Sequence, residues 1–92
     1  MIRSFKCPET EALSEGERIR RFVNIAAAAQ RKLRQLQIAG RLDDLRVPPG
    51  NRLEALKGDR LGQHSIRIND QWRVCFRWTE AGAEDVEIVD YH

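Results

Sequence analysis

Residues 64–92 read HSIRINDQWRVCFRWTEAGAEDVEIVDYH, and the alternation of apolar and polar side chains in this stretch decides the fold. Within 72–78 the side chains are predicted to alternate between inward (Trp72, Val74, Phe76 and Trp78) and outward (Arg73, Cys75 and Arg77). Residues 64–69 and 86–91 show the same period of two, and turn-forming sequences at 69–70 and 80–85 separate the three segments. With RLEALKG at 52–58 as a weaker candidate, the stretch predicts three or four antiparallel strands.

The first half of the chain has a helical period after a short extended start. IRSFK at 2–6 alternates and predicts a first strand. Pro8 suits the first turn of a short helix that Gly16 ends. A second, amphipathic helix ending near Gly40 is predicted from apolar residues at steps of three and four, namely Ile19, Phe22, Ile25, Ala26, Ala29, Leu33 and Leu36.

Residues 41–52 are predicted to be irregular. Asp43 or Asp44 is expected to cap a turn, and Pro49-Gly50 suits the centre of a type II turn. The predicted fold class is therefore α+β: an N-terminal strand, a two-helix hairpin, and a mostly antiparallel sheet of about four strands. With 92 residues, the chain is expected to form one domain over 1–92.

Composition excludes several classes of protein. No run of about 18 apolar residues predicts a membrane span, and no apolar stretch follows MIRSFK as in a signal peptide. Cys7 and Cys75, with His64 and His92, lack the spacing of a metal site, and no glycine-rich phosphate loop is present. We expect a cytoplasmic protein with reduced thiols, no metal and no cofactor.

The small net charge of +2 hides a basic segment. Residues 18–42 contain no acid, and their cations are Arg18, Arg20, Arg21, Arg31, Lys32, Arg34 and Arg41. Such a segment suits phosphate backbones or an acidic protein partner, and it equally suits a solvated helix face. The residues alone leave both interpretations open.

Two groups of side chains are candidates for chemistry. Asp90, Tyr91 and His92 end a predicted strand, with Asp90 and His92 on one side, and a histidine beside an acid suits general acid–base catalysis. Five cations of the sheet half could bind a phosphodiester or merely keep a sheet face soluble, namely Lys57, Arg60, Arg67, Arg73 and Arg77. Gln71 lies in an exposed turn, where it can touch a base edge or serve only as a turn residue.

Three segments together resemble a known family. LKGDRLGQHSIRIND at 56–70, QWRVCFRW at 71–78 and the closing VEIVDYH, with MIRSFK at the start, are similar to the HigB branch of the RelE-type toxins. The similarity covers about half of the chain. Over residues 8–48 the arrangement of the predicted helices matches the family better than the amino-acid identities do. Members of this family are ribosome-dependent endoribonucleases that cut messenger RNA in the ribosomal A site.

The resemblance implies roles for specific residues. The family's catalytic lysine falls on Lys57 and its strand arginine on Arg73, while its terminal acid, aromatic and histidine fall on Asp90, Tyr91 and His92. Contact with RNA or the ribosome is implied for Arg60, Arg67, Gln71 and Arg77, and for Arg31, Lys32 and Arg34 in the basic segment. A cognate antitoxin with a helix-turn-helix is the implied partner, and operator DNA is bound through the complex of the two.

Two other classes of function compete with the toxin. A nucleic-acid-binding module without catalysis needs the basic segment and the arginines but not the terminal residues. A structural partner in a larger complex needs neither, because its charged residues form surface ion pairs that contribute little to stability. Loss of function on removal of His92, and arrest of translation on expression, distinguish the toxin from both.

Overall fold

The computed structural model describes residues 1–90 and has an α+β architecture. Its strands, β1 (Glu54–Ala55), β2 (His64–Arg67), β3 (Trp72–Thr79) and β4 (Gly82–Asp90), form one antiparallel sheet in the order β1-β2-β3-β4. The helices α1 (Pro8–Ser14) and α2 (Ala26–Ile38) pack together against one face of this sheet. The predicted fold class and the antiparallel meander are confirmed.

The predicted turns between the strands are present. Asn69 Oδ1 accepts hydrogen bonds from the backbone N–H groups of Gln71 and Trp72, both at 2.8 Å, which reverses the chain between β2 and β3. Between β3 and β4, Gly82 adopts φ +126°, a value that residues with a side chain rarely reach. These short turns hold β3 and β4 in one continuous ladder, apart from a bulge between Cys75 and Arg77.

The predicted second helix starts later in the structure than its apolar stripe does. Residues 20–22 form a separate 3₁₀ turn, and α2 begins only at Ala26. Alanines have the highest helix propensity, whereas β-branched Ile19, Val23 and Ile25 have lower propensity and favour other conformations. The apolar stripe nevertheless faces the core, because Phe22, Ala29, Leu33 and Leu36 are buried.

No left-handed glycine ends α2, and the acid that follows the helix caps the next element, the 3₁₀ turn Leu42–Arg46. The helix ends at Ile38, and the φ of Gly40 is not positive. Instead, the Asp44 carboxylate accepts hydrogen bonds from the backbone N–H groups of Arg41 (3.0 Å) and Gly40 (2.9 Å). The bond from Arg41 and, to a smaller extent, the bond from Gly40 lower the pKa of Asp44. Asp44 is thus one of the two predicted capping acids.

The N-terminal segment does not form the predicted strand. Ile2 and Phe5 make isolated parallel bridges to Ala83 and Val86 of β4. Between the bridges, Asp85 has a left-handed backbone (φ 54°) and donates its N–H to the Ser4 hydroxyl at 2.9 Å. A regular parallel ladder is interrupted there, because the Asp85 N–H bonds a side chain instead of a backbone carbonyl.

The Pro49-Gly50 prediction is also wrong in detail. Residues Pro49–Asn51 form a 3₁₀ turn, and the left-handed residue is Arg52 (φ 47°), not Gly50 as a type II turn requires. The buried Asn51 amide folds this segment back by donating to the carbonyls of Leu45 (3.1 Å) and Val47 (3.4 Å).

The main core lies between the helices and the sheet. Leu33 and Leu36 of α2 meet Val74 and Phe76 of β3 in one buried cluster. Burying a side chain of this size fully contributes about 1.5–3 kcal/mol. Trp72 and Trp78, predicted to face inward, are half-buried against this cluster, so the inward set is confirmed.

Candidate active site on the outer face of the sheet

The sheet face that points away from the helices carries the predicted site residue Arg73, and we call it the outer face. Residues directly opposite each other in antiparallel strands share a face. The register therefore places Glu54, Ser65, Cys75 and Glu87 side by side across all four strands, with Arg73 two residues before Cys75. The alternate residues Val74 and Ile88 face the helices instead.

The centre of the outer face is buried, although the side chains around it, which form its rim, are charged. Ser65 and Cys75 are completely buried. Cys75 was predicted to point outward; it lies on that face but is not exposed. Burial raises the pKa of the Cys75 thiol to about 11, against a weaker opposing influence of Arg60. A buried centre strengthens charge interactions at its rim because less water screens them.

Arg73 is held at this rim by an acid and a hydroxyl. Its Nη1 lies 2.9 Å from Glu54 Oε1 and 3.4 Å from the Ser65 hydroxyl, and its side chain is 17% exposed. The guanidinium is therefore oriented across β2 toward β1, where Lys57 follows. A planar guanidinium fixed in this way has a defined orientation toward an oxyanion.

Arg60 approaches the same face from the connection between β1 and β2. It lies in the 3₁₀ turn Gly58–Arg60, and its Nη1 contacts Glu87 Oε1 at 2.8 Å and Gln63 Oε1 at 3.1 Å. Arg60 and Arg73 are both close enough to Cys75 to oppose the rise in its pKa. Two of the predicted cations thus flank one buried centre.

Lys57 lies between β1 and this 3₁₀ turn. Its backbone is extended (φ −124°, ψ 178°) and its side chain is exposed. Among residues 1–90, no acid lies within ion-pair distance of its ammonium group. An exposed, uncommitted ammonium three residues after Glu54 is suited to meet an incoming anion at the rim.

Asp90 lies at the end of β4 on the other face of the sheet. It pairs with Trp72, whereas Val89 pairs with Arg73, so Asp90 and Arg73 do not share a face. The Gln71 amide donates to Asp90 Oδ2 at 3.1 Å, which joins two predicted site residues at the sheet edge. Tyr91 and His92 lie outside the described residues, so their roles stay predictions.

The remaining predicted contact residues are spread over the molecule. Arg67 pairs with Asp70, and Arg77 pairs with Asp85 at 3.6 Å. Arg31 and Arg34 are exposed on α2, in the helical layer.

Lys32 differs from its neighbours on α2 because it is partly buried. Its ammonium donates to Asn51 Oδ1 at 2.6 Å. Burial, followed by repulsion from Arg31 and Arg67, lowers the pKa of Lys32. The group is therefore engaged inside the protein and is less accessible to RNA than the two arginines.

Known proteins resemble this chain along most of its length. A family model described as a RelE-like toxin of type II toxin-antitoxin system HigB matches residues 12–92. Toxin HigB-1 of Vibrio cholerae serotype O1 is 40% identical over 85 residues, covering 90% of each chain. The chain belongs to the HigB-like family of RelE-like toxins. An uncharacterized protein of Haemophilus influenzae is 34% identical over 55 residues, covering 60% of this chain and 54% of its own length.

The resemblance predicted from the residues is confirmed by this membership. A HigB-like toxin of a type II system has a cognate antitoxin as its partner, and the family supports an endoribonuclease type of activity. Within residues 1–90, no helix combines the length and the apolar character needed to cross a membrane. The described part of the chain also contains no group of three or more His, Cys, Asp or Glu side chains placed to hold a metal ion.

Sequence reasoning about this HigB-like chain missed the acids of the site. Glu54 and Glu87 were not among the predicted site residues, yet both pair with predicted site arginines. The alternation of β4 signals the position of Glu87, because Val86 and Ile88 on either side face the core. No comparable signal exists for Glu54, which belongs to a strand of only two residues.

A basic aromatic stack was missed as well. Arg21 lies over two rings, with its Cζ atom 4.8 Å from the centroid of Phe22 and 5.8 Å from that of Trp72, and it pairs with Glu9 at 2.7 Å. Trp72 is the ladder partner of Asp90, so this stack borders the end of β4. Such cation–π contacts stabilise both the ring and the charge.

Proposed function

We propose that this HigB-like toxin inhibits translation by cutting messenger RNA in the ribosomal A site, with residues 1–92 acting as one toxin domain in the cytoplasm. The observation that supports the proposal is that Arg60 and Arg73 flank one buried centre of the outer face, while Lys57 directly precedes the turn that carries Arg60. A phosphodiester that enters there meets three cations beside a water-poor centre, where electrostatic stabilisation of a transition state is strongest.

The proposed chemistry uses the nucleophile that RNA itself carries. The ribose 2′-OH attacks the adjacent phosphorus, and its proton passes to a general base. The P–O5′ bond breaks while a general acid protonates the leaving 5′-oxygen, which leaves a 2′,3′-cyclic phosphate and a 5′-hydroxyl. His92 and Asp90 divide these two proton transfers, a contribution of about 10²–10⁴ in rate. Because Asp90 does not share the outer face with Arg73, this proposal requires the phosphate to lie at the edge of the sheet, beyond the end of β4.

The other site residues have positioning and electrostatic roles in this proposal. Lys57 and Arg73 hold the scissile phosphate and stabilise the charge that grows on it. Tyr91 stacks on or orients a base next to the cut. Arg60, Arg67, Gln71 and Arg77 contact the RNA or the ribosome around it.

The basic helical layer contributes attraction to the ribosome as a whole. Arg31 and Arg34 are exposed and face a polyanion when the toxin docks on ribosomal RNA, which makes binding dependent on salt. Lys32 supports the same layer from within, through Asn51. Because the ribosome positions the messenger, free RNA is cut poorly.

We further propose that the cognate antitoxin is a helix-turn-helix protein and that the pair binds its own operator. The antitoxin makes most of the DNA contacts, because a helix-turn-helix places its recognition helix in the major groove. Electrophoretic mobility shift of operator DNA with toxin, antitoxin and both together checks this assignment.

Primer extension on messenger RNA tests the proposed nuclease. Purified protein is incubated with the messenger with and without translating ribosomes, using wild type, His92→Ala and Lys57→Ala. Arg46→Ala serves as the matched control for loss of a cation, because Arg46 pairs with Asp43 away from the outer face. Ribosome-dependent cuts that end in a cyclic phosphate, that persist in the control and that disappear in both site variants are expected.

Other outcomes assign other functions. Products with a 5′-phosphate would exclude attack by the 2′-OH. Binding of RNA without any cut would indicate a nucleic-acid-binding module, because such a module requires the arginines but not His92.

A further inference from the structure

Two acids occupy the guanidinium groups that the proposed function assigns to RNA. Glu54 of β1 lies 2.9 Å from Arg73 Nη1, and Glu87 of β4 lies 2.8 Å from Arg60 Nη1. The acids come from the two outer strands of the sheet, and the arginines lie between them. In the described protein, each of these cations therefore already has an anionic partner.

Burial makes these pairs stronger than ordinary surface pairs. In the first pair, the side chains of Arg73 and Glu54 are 17% and 50% exposed, and in the second pair, those of Arg60 and Glu87 are 32% and 16% exposed. By contrast, the Arg46–Asp43 pair, at 3.1 Å between Nε and Oδ1, is 65% and 70% exposed. Less exposure means less screening by water, so Glu87 is much harder to displace than Asp43, and Glu54 is harder to displace mainly because its partner Arg73 is shielded.

A carboxylate and a phosphodiester compete for the same donors. Both are anions that accept N–H bonds from a guanidinium in similar geometry. An RNA phosphate that binds Arg73 or Arg60 must therefore displace or distort the existing carboxylate contact. The lost contact reduces the net gain from each new phosphate contact.

We propose that Glu54 and Glu87 are internal counter-ions that compete with RNA phosphate for Arg73 and Arg60 and so keep the affinity for free RNA low. The identity of RNA as the ligand rests on the proposed function. The inference adds that a messenger held in place by the ribosome overcomes this competition, because its phosphates are presented at high effective concentration.

Fluorescence anisotropy with an oligonucleotide that cannot be cut tests the inference without relying on activity. The probe is a labelled single-stranded 2′-O-methyl RNA of about 12 nucleotides, which lacks the nucleophilic hydroxyl. Glu54→Gln and Glu87→Gln preserve the shape of the side chains and remove their charge. We expect each variant to lower Kd about three- to tenfold, and the plot of log Kd against log salt to steepen by about one for each carboxylate removed.

Asp43→Asn is the matched control. It makes the same change in net charge and also frees an arginine, Arg46, which lies away from the outer face. Its Kd is expected to stay within twofold of wild type. Circular dichroism confirms that all three variants are folded before their affinities are compared.

An unchanged Kd in both glutamate variants would overturn the inference, because the acids would then not compete with RNA. A higher Kd would overturn it as well, because the acids would then hold the arginines in position for RNA. An equal gain in Asp43→Asn would overturn it too, by attributing the effect to net charge. The proposed nuclease activity can be refuted independently of the counter-ion role. If wild type does not cut messenger RNA but the glutamate variants bind the probe more tightly, the counter-ion role stands and catalysis does not.

Discussion

At the scale of single residues, Asn51 shows how one buried polar side chain can join two segments of the chain. It is completely buried, accepts from the Lys32 ammonium at 2.6 Å, and donates to Gln35 Oε1 at 2.9 Å and to the Leu45 carbonyl at 3.1 Å. Buried polar groups of this kind stabilise a fold only while all partners are satisfied.

Asn51→Ala is therefore expected to lower the free energy of unfolding by about 2–3 kcal/mol, because it leaves a buried carbonyl and a partly buried ammonium without partners. Urea denaturation followed by circular dichroism measures the change. Gln37→Ala is the control, since Gln37 also accepts a hydrogen bond, from the Ile2 N–H at 2.9 Å, but is exposed. Equal losses in the two variants would contradict the role of Asn51.

Cys75 provides a second test at this scale. Burial raises the pKa of its thiol to about 11, so the thiolate needed for reaction is scarce at neutral pH. We expect a thiol-specific reagent at pH 8 to modify half-buried Cys7 first and Cys75 only after unfolding. Rapid modification of two thiols in the native protein would contradict this.

Because a thiol with a raised pKa favours the unfolded state above pH 9, stability should also decrease as pH rises from about 9 to 11.

The sequence predicted the faces of these residues better than their burial. Alternation in β3 placed Cys75 on the side opposite Val74, and the register agrees. Its complete burial depends on neighbours from β2, β4 and the turn around Arg60, which are distant in sequence. The same holds for the partners of Arg73 and Arg60, since an ion pair across strands needs a register that a single segment does not contain.

At the scale of elements, β4 organises the molecule. It pairs with β3 along its length, forms the bridges to the N-terminal segment, and leads to the proposed catalytic tail. Period and turn chemistry predicted β2, β3 and β4, because those signals are local. The start of α2 and the irregular N-terminal segment were mispredicted, because helix propensity decided the first and a hydrogen bond from the Asp85 N–H to the Ser4 hydroxyl decided the second.

Gly82→Ala tests the attachment of the N-terminal segment to β4. A Cβ at this position would lie 2.1 Å from the backbone oxygen of Met1, and the φ of +126° is unfavourable for alanine. The hydrogen bond from the Ala83 N–H to the same oxygen, 2.9 Å long, would be lost as the segment moves. We expect the free energy of unfolding to fall by about 2–4 kcal/mol.

Gly50→Ala is the appropriate comparison, because a Cβ there meets no atom within 4 Å and the backbone φ is not positive. Its effect should stay within about 0.5 kcal/mol in the same thermal or urea denaturation. If Gly82→Ala were equally mild, the N-terminal segment would not be fixed against β4 in the way described.

At the scale of the whole molecule, cations lie on both sides of a compact body that measures 31 × 27 × 26 Å. Arg31 and Arg34 belong to the helical layer, whereas Lys57, Arg60 and Arg73 belong to the outer face of the sheet. The sheet and the core separate the two groups, so one RNA segment does not easily contact both. A ribosome offers two surfaces at once, with ribosomal RNA on one side and the messenger on the other.

This separation predicts that the two groups of cations affect different steps. Arg31→Gln combined with Arg34→Gln should weaken binding to the ribosome about tenfold, most strongly at low salt, because it removes long-range attraction. Cleavage of messenger by the bound toxin should then stay within about twofold of wild type. Lys57→Gln should lower the cleavage rate at least 100-fold and leave ribosome binding nearly unchanged, since it removes stabilisation at the scissile phosphate.

Sedimentation of toxin with ribosomes measures the first step, and single-turnover primer extension at saturating toxin measures the second. If the helix variant lost cleavage at saturation, α2 would act in the chemical step and the division between the two faces would be wrong. If Lys57→Gln lost only binding, the outer face would be a docking surface. A molecule with one RNA-binding surface would lose both steps together in either variant, and the opposed positions of the two cation groups argue against that result.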